Sequence, residues 1–126
     1  MEVILFEFFA NKTDVEWSHA MTGIAGDKGL NFITTGHDKG VEPGMTALIN
    51  GQLQYGYTIR ELNHSHPWNS YPSGLDNKDK DIGFAREVSD WYTIKYPKRP
   101  QINFNIYKDG KYTPYNKNST KKDYGL

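Results

Sequence analysis

The sequence predicts a mixed α/β domain, one sheet packed by two or three helices. Three observations carry this reading. Apolar residues from Ile82 to Tyr96 recur at helical spacing, Tyr57 to Asn63 alternates as a strand does, and Asp109-Gly110 separates two further strand-like runs. The length of 126 residues fits one domain that can bury a real core, and the chain contains no cysteine. Disulfides, thiol catalysis and thiolate metal sites are therefore excluded.

Taken in order, the opening MEVILFEFFA is ambiguous. Leu5, Phe6 and Phe9 suit a helix, while Val3, Leu5 and the aromatics also suit a strand. Glu2 and Glu7 interrupt it, and it lacks the basic leader and small-residue cleavage site of a signal peptide. Asn11 to Asp14 reads as a break, Val15 to Thr22 as a short buried strand, and Gly23 to Gly29 as a turn. Asn31 to Thr35 is expected to be another strand, followed by a loop through Gly36, Gly40, Pro43 and Gly44. A helix is expected from Pro43, carrying Met45, Leu48, Ile49 and Leu53 and weakened by Gly51. After the strand at Tyr57 to Asn63, two prolines and Gly74 make residues 67–77 a loop. Asp79 or Asp81 then caps the helix on which Ile82, Ala85, Val88, Tyr92 and Tyr96 share a stripe, and Pro97 and Pro100 end it. Gln101 to Tyr107 and Lys111 to Tyr115 form the hairpin. The domain is expected over residues 1–116, with a loose polar tail over 117–126.

Lys plus Arg and Asp plus Glu each number 15, so the chain is formally neutral. That argues against a nucleic-acid binder, and the clusters Lys95, Lys98, Arg99 and Lys117, Lys121, Lys122 read as solvated surface. No run approaches the length that spans a bilayer, so a soluble domain without a membrane partner is expected.

The chemistry concentrates in His64-Ser65-His66-Pro67-Trp68 and the loop that follows. Histidines at i and i+2 on a strand share a face and can bind one cation. Asp76, on a turn-rich loop, can return as the third ligand, leaving a fourth position open for water. Ser73 is expected to donate a hydrogen bond to the oxyanion formed when water attacks an amide. Glu16 is the expected general base. Asp79 and Asp81 read better as helix caps, although either remains an alternative to Asp76 as ligand. Trp68 beside the metal is a candidate substrate contact, whereas His19 and His37 are expected to be structural or solvent-exposed. Each residue alone has an ordinary surface or turn explanation; the combination, with Pro67 after the second histidine, is hard to reach by chance.

HSHP followed by PSGLD resembles the JAMM metallopeptidase motif of MPN-plus domains. The blocks FEFFANKTDVEW, GYTIRE, HSHP, YPSG and DIGFA are similar to the JAB-like toxin domains at the ends of RHS-repeat bacterial polymorphic toxins, and the similarity covers roughly residues 3–115. The spacing from His66 to Ser73 is one residue shorter than is usual there. The resemblance implies an MPN (JAB)-like fold with a twisted sheet flanked by helices, and an N-terminal helix ending near Ala10. It further implies zinc held by His64, His66 and Asp76, Glu16 as base, and Ser73 as the family's serine. The expected activity is zinc-dependent hydrolysis of peptide or isopeptide bonds by a toxin domain, exported within a larger protein and acting in a target-cell cytoplasm. Ubiquitin-like conjugates or other proteins are the expected substrates, with a cognate immunity protein as partner. The alternatives are an inactive MPN-like scaffold and a metal-dependent nuclease toxin, the latter disfavoured by the neutral charge.

Overall fold

The computed structural model describes residues 2–23, 29–35 and 44–126. His37, the expected loop around it and most of the expected turn after Gly23 lie outside the described residues. The strands are β1 (Ser18–Thr22), β2 (Asn31–Thr34), β3 (Ile59–Ser65), β4 (Asn103–Lys108) and β5 (Lys111–Tyr115). They form one mixed sheet in the order β2-β1-β3-β4-β5. β1 runs antiparallel to both β2 and β3, and β5 antiparallel to β4. β3 and β4 are parallel, so the chain must cross over between them. The helix α3 (Lys80–Lys95) makes that crossover.

The period of two in the strands sorts the sheet into two faces. Ala20 pairs with Leu62 and Leu62 with Phe104, so these apolar residues share one face, on which Ile106 also lies. α3 packs its Ile82, Ala85, Val88 and Tyr92 into the same buried cluster, joined by Met45 from α2 (Gly44–Leu48). Tyr92 also receives the backbone N–H of Ile59 on its hydroxyl at 3.0 Å, tying helix to strand. The opposite face is covered by α1 (Glu2–Lys12), whose Phe6 is fully buried and stacked on the His19 ring. The helical alternative for the N-terminus is thus the one adopted, and it runs to Lys12. Helices on both faces of a five-stranded mixed sheet make an α/β fold consistent with the JAB-like architecture.

Two expectations are corrected. The helix expected from Pro43 is broken: after α2 the chain widens into a π-helical turn over Ile49–Leu53, which still buries Ile49 and Leu53. Residues 117–126 are not loose. Thr120 and Asp123 form a reciprocal capping box on a 3₁₀ turn over Lys121–Tyr124, Ser119 is buried, and the Tyr124 hydroxyl donates to Pro114 O at 3.0 Å. The local capping chemistry, not an apolar run, holds this segment down.

Candidate metal centre

β3 delivers the two histidines. His64 lies within the strand and His66 one residue beyond it, where its N–H still donates to Tyr107 O at 3.1 Å and prolongs the pairing with β4. Ser65, between them, points to the other face and clasps the chain entering β1. Its Oγ accepts from Trp17 N–H at 2.8 Å, and its own N–H donates to Trp17 O at 2.8 Å. This clasp holds the neighbouring Glu16 against His64, whose Nε2 contacts Glu16 Oε1 directly. Glu16 is 3% exposed, and ligand atoms of Glu16, His64 and His66 all lie within 4.8 Å of one another. These three residues make a group that can hold a metal ion.

Ser73 also reaches the centre, but Asp76 does not. Asp76 sits at the tip of the loop, 77% exposed, and pairs with Lys121 of the C-terminal turn. Asp81, read above as a helix cap, lies beside the histidines instead: its Oδ2 is 3.0 Å from His66 Nε2 and its Oδ1 3.9 Å from His64 Nε2. Asp79 occupies the cap position of α3, yet its side chain makes no capping bond. The loop closes back on itself to allow this. Gly74 adopts φ +83° and lies so close to Asp79 that a Cβ there would stand 1.8 Å from Asp79 O. Lys78 and Lys80 likewise take positive φ, at 56° and 50°. The closure sets Ser73 against Asp81 reciprocally: Ser73 N–H donates to Asp81 Oδ2 at 2.9 Å, and Asp81 N–H donates to Ser73 Oγ at 3.3 Å. The Ser73 hydroxyl therefore keeps its proton for another acceptor.

Charge organises the centre. Burial works against ionised Asp81, but the bond from His66, the charges of His64 and His66 and the Ser73 N–H outweigh it, holding the carboxyl well below the usual carboxylate range. Burial likewise opposes protonation of His66, and the bond and charge of Asp81, with help from Asn69 and Glu16, raise it nevertheless. Two imidazoles each facing a carboxylate need either protons or a cation between them. Without cysteine, nitrogen and carboxylate oxygen are the donors on offer, a set suited to zinc and related divalent ions.

A cavity of about 500 Å³ opens over these residues. Met45, Leu62, Phe84 and Tyr115 give it apolar walls, and the exposed Trp68 and Lys80 line it as well. The family model described as JAB-like toxin 1 matches residues 3–86, which include Glu16, His64, His66, Ser73 and Asp81. The chain belongs to the JAB-like toxin 1 family. No curated protein and no solved structure matches it.

In this JAB-like toxin domain, the sequence points to Asp81 only as an alternative ligand and assigns Met45 and Phe84 no site role. Asp81 carries a signal that was there to be used: it heads the stripe Asp81, Ala85, Val88, Tyr92, so an acid stands where an apolar residue is expected. Met45 reads as an apolar position of the helix expected from Pro43 and Phe84 only as part of the block DIGFA, and both wall the cavity. His19 is fully buried on the far face, bonded to Asn31 Oδ1 at 2.9 Å and accepting from Asn63 Nδ2 at 3.2 Å, away from the metal centre. No described helix is long and apolar enough to cross a membrane.

Proposed function

We propose that this JAB-like toxin domain is a zinc-dependent hydrolase of peptide or isopeptide bonds, with His64, His66 and Asp81 holding the metal and Glu16 acting as base. The observation that supports it most is the convergence of Glu16, His64 and His66 within 4.8 Å at the floor of an open cavity. When bound there, zinc supplies Lewis acidity toward the amide carbonyl and toward water.

The chain's own groups account for the remaining work. Glu16, buried and held by the Trp17 to Ser65 clasp, takes a proton from the attacking water at its carboxylate and returns it to the departing amine nitrogen. Ser73, its Oγ oriented by Asp81 N–H, donates its hydroxyl proton in a hydrogen bond to the oxygen on which negative charge develops. The apolar walls of Met45, Leu62 and Phe84 exclude water from the substrate side, and Trp68, 52% exposed, offers a flat surface to an extended chain. As an effector domain the protein has a protein or peptide target, ubiquitin-like conjugates among them, inside the recipient cell, and an immunity protein that covers the cavity in the producing cell.

Glu16→Gln tests the assignment. Turnover, read as cleavage of a substrate or as toxicity on expression in bacteria, falls by about 10²–10⁴-fold. Zinc content stays near one per chain. Loss of zinc in Glu16→Gln makes Glu16 a ligand instead, and undiminished toxicity in both Glu16→Gln and His64→Ala excludes metal-dependent hydrolysis.

A further inference from the structure

His66 has two ring nitrogens, and only one can face the metal. Its Nε2 points to Asp81, and its Nδ1 lies 2.9 Å from Asn69 Oδ1. The identity of that amide oxygen is fixed independently, because the same atom lies 3.3 Å from the backbone N of Tyr71, and a backbone N–H can only donate. An amide NH₂ turned to this side would set two donors against each other. With Asn69 Oδ1 as a pure acceptor, the proton between it and His66 must sit on Nδ1. Nε2 faces a second acceptor, Asp81 Oδ2 at 3.0 Å, so without a cation the ring carries a proton on each nitrogen, and a bound cation takes the place of the Nε2 proton alone.

We propose that Asn69 is a positioning residue that fixes the Nδ1–H tautomer of His66 and thereby selects Nε2 as its metal-binding atom. The assignment rests on the metal-centre reading above. His66 is 6% exposed, so no water-filled shell competes for Nδ1, and once a cation stands at Nε2 the Asn69 bond keeps the remaining proton on Nδ1. Asn69 is itself held: it lies three residues after His66 on the loop begun by Pro67, whose carbonyl accepts from Lys108 Nζ at 2.9 Å, and the bond from Tyr71 N–H locks its amide plane. Partners of this kind, one bond removed from the metal, typically govern affinity by fixing ring orientation.

The full-length chain is labelled with ¹⁵N at histidine and loaded with zinc at neutral pH. Long-range ¹⁵N–¹H spectra, with His66 assigned by its loss in His66→Gln, are expected to show the proton on Nδ1. A zinc-loaded protein whose His66 carries its proton on Nε2 overturns the proposal. Zinc affinity by chelator competition supplies the second readout. Asn69→Ala is expected to lose about 10–100-fold, whereas Asn69→Asp, which keeps the acceptor, binds as wild type does or tighter. No loss in Asn69→Ala, or an equal loss in Asn69→Asp, also overturns it. A wild-type chain that binds no zinc refutes the hydrolase reading and this proposal with it, whereas a chain that binds zinc through His66 Nδ1 overturns this proposal alone.

Discussion

Replacing Asp81 by Asn, beside Asp76 by Asn as its counterpart, tests the ligand set most sharply. The Asp81 side chain is 13% exposed, with its oxygens 3.0 Å from His66 Nε2 and 3.9 Å from His64 Nε2. Two unit charges about 4 Å apart interact by roughly 4 kcal/mol at an effective dielectric constant of about 20. At about 1.4 kcal/mol per factor of ten, that is about three decades of affinity for a cation at this position. The Asn carbonyl oxygen still offers a neutral ligand, which trims the expected loss to about 10²–10³-fold. Asp76, exposed and paired only with Lys121 among the described residues, has no such role, and an exposed pair of this type contributes about 0–1 kcal/mol to stability. Asp76→Asn is therefore expected to bind zinc as wild type does. Chelator competition at neutral pH, with circular dichroism to confirm folding, measures both. Loss of affinity in Asp76→Asn with retention in Asp81→Asn would refute the assignment and place the loop in a different register.

The metal-free protein should show opposite pH trends in stability and in metal affinity. His66 is raised above its usual 6.5, so its contribution is complete below that pH and lost as pH climbs through the folded value. Asp81 is depressed, so its contribution holds above about pH 4 and is lost as pH falls through its folded value. Thermal melts in chelator are expected to peak between about pH 4 and 6.5 and decline toward alkaline pH, with a flatter profile in Asp81→Asn, while zinc affinity rises over the same alkaline range as protons leave the ligands. Melting temperatures that climb steadily from pH 6 to 8 without metal would contradict the pairing. Gly74→Ala meets both a left-handed backbone and the Asp79 carbonyl, so denaturant titration should show a loss greater than the ~1–2 kcal/mol of the backbone alone. A neutral Gly74→Ala would show that the loop does not close as described.

The sequence was most informative where periodicity and burial agree. The stripe from Ile82 to Tyr92 announces α3, and Asp109-Gly110 announces the hairpin of β4 and β5, because each pattern extends over several residues and has one physical reading. The His64 and His66 pair was legible for the same reason, a strand face read with period two. Asp81 was not, because a loop's path depends on backbone conformations that residue types fix only weakly. The positive φ at Lys78 and Lys80 is an instance: lysine gives no hint of a left-handed backbone. Apolar content foretold neither the π-helical turn at Ile49–Leu53 nor the capped turn at Lys121–Tyr124, since the first is a local widening of a helix and the second is held by side-chain to backbone bonds.

The parallel pairing of β3 with β4 sets a timetable for assembly. His66 rests its N–H on Tyr107, a residue far downstream, and α3 must form and cross the sheet before β4 can dock. Pairings between distant segments form late, because closing the intervening chain costs entropy before contacts offset it. A chain that has emerged only as far as α3 thus holds every proposed ligand and the proposed base, yet lacks the strand that steadies one of its histidines. The candidate metal centre is complete only once β4 has docked, so a nascent copy holds the groups proposed for hydrolysis before it holds their geometry.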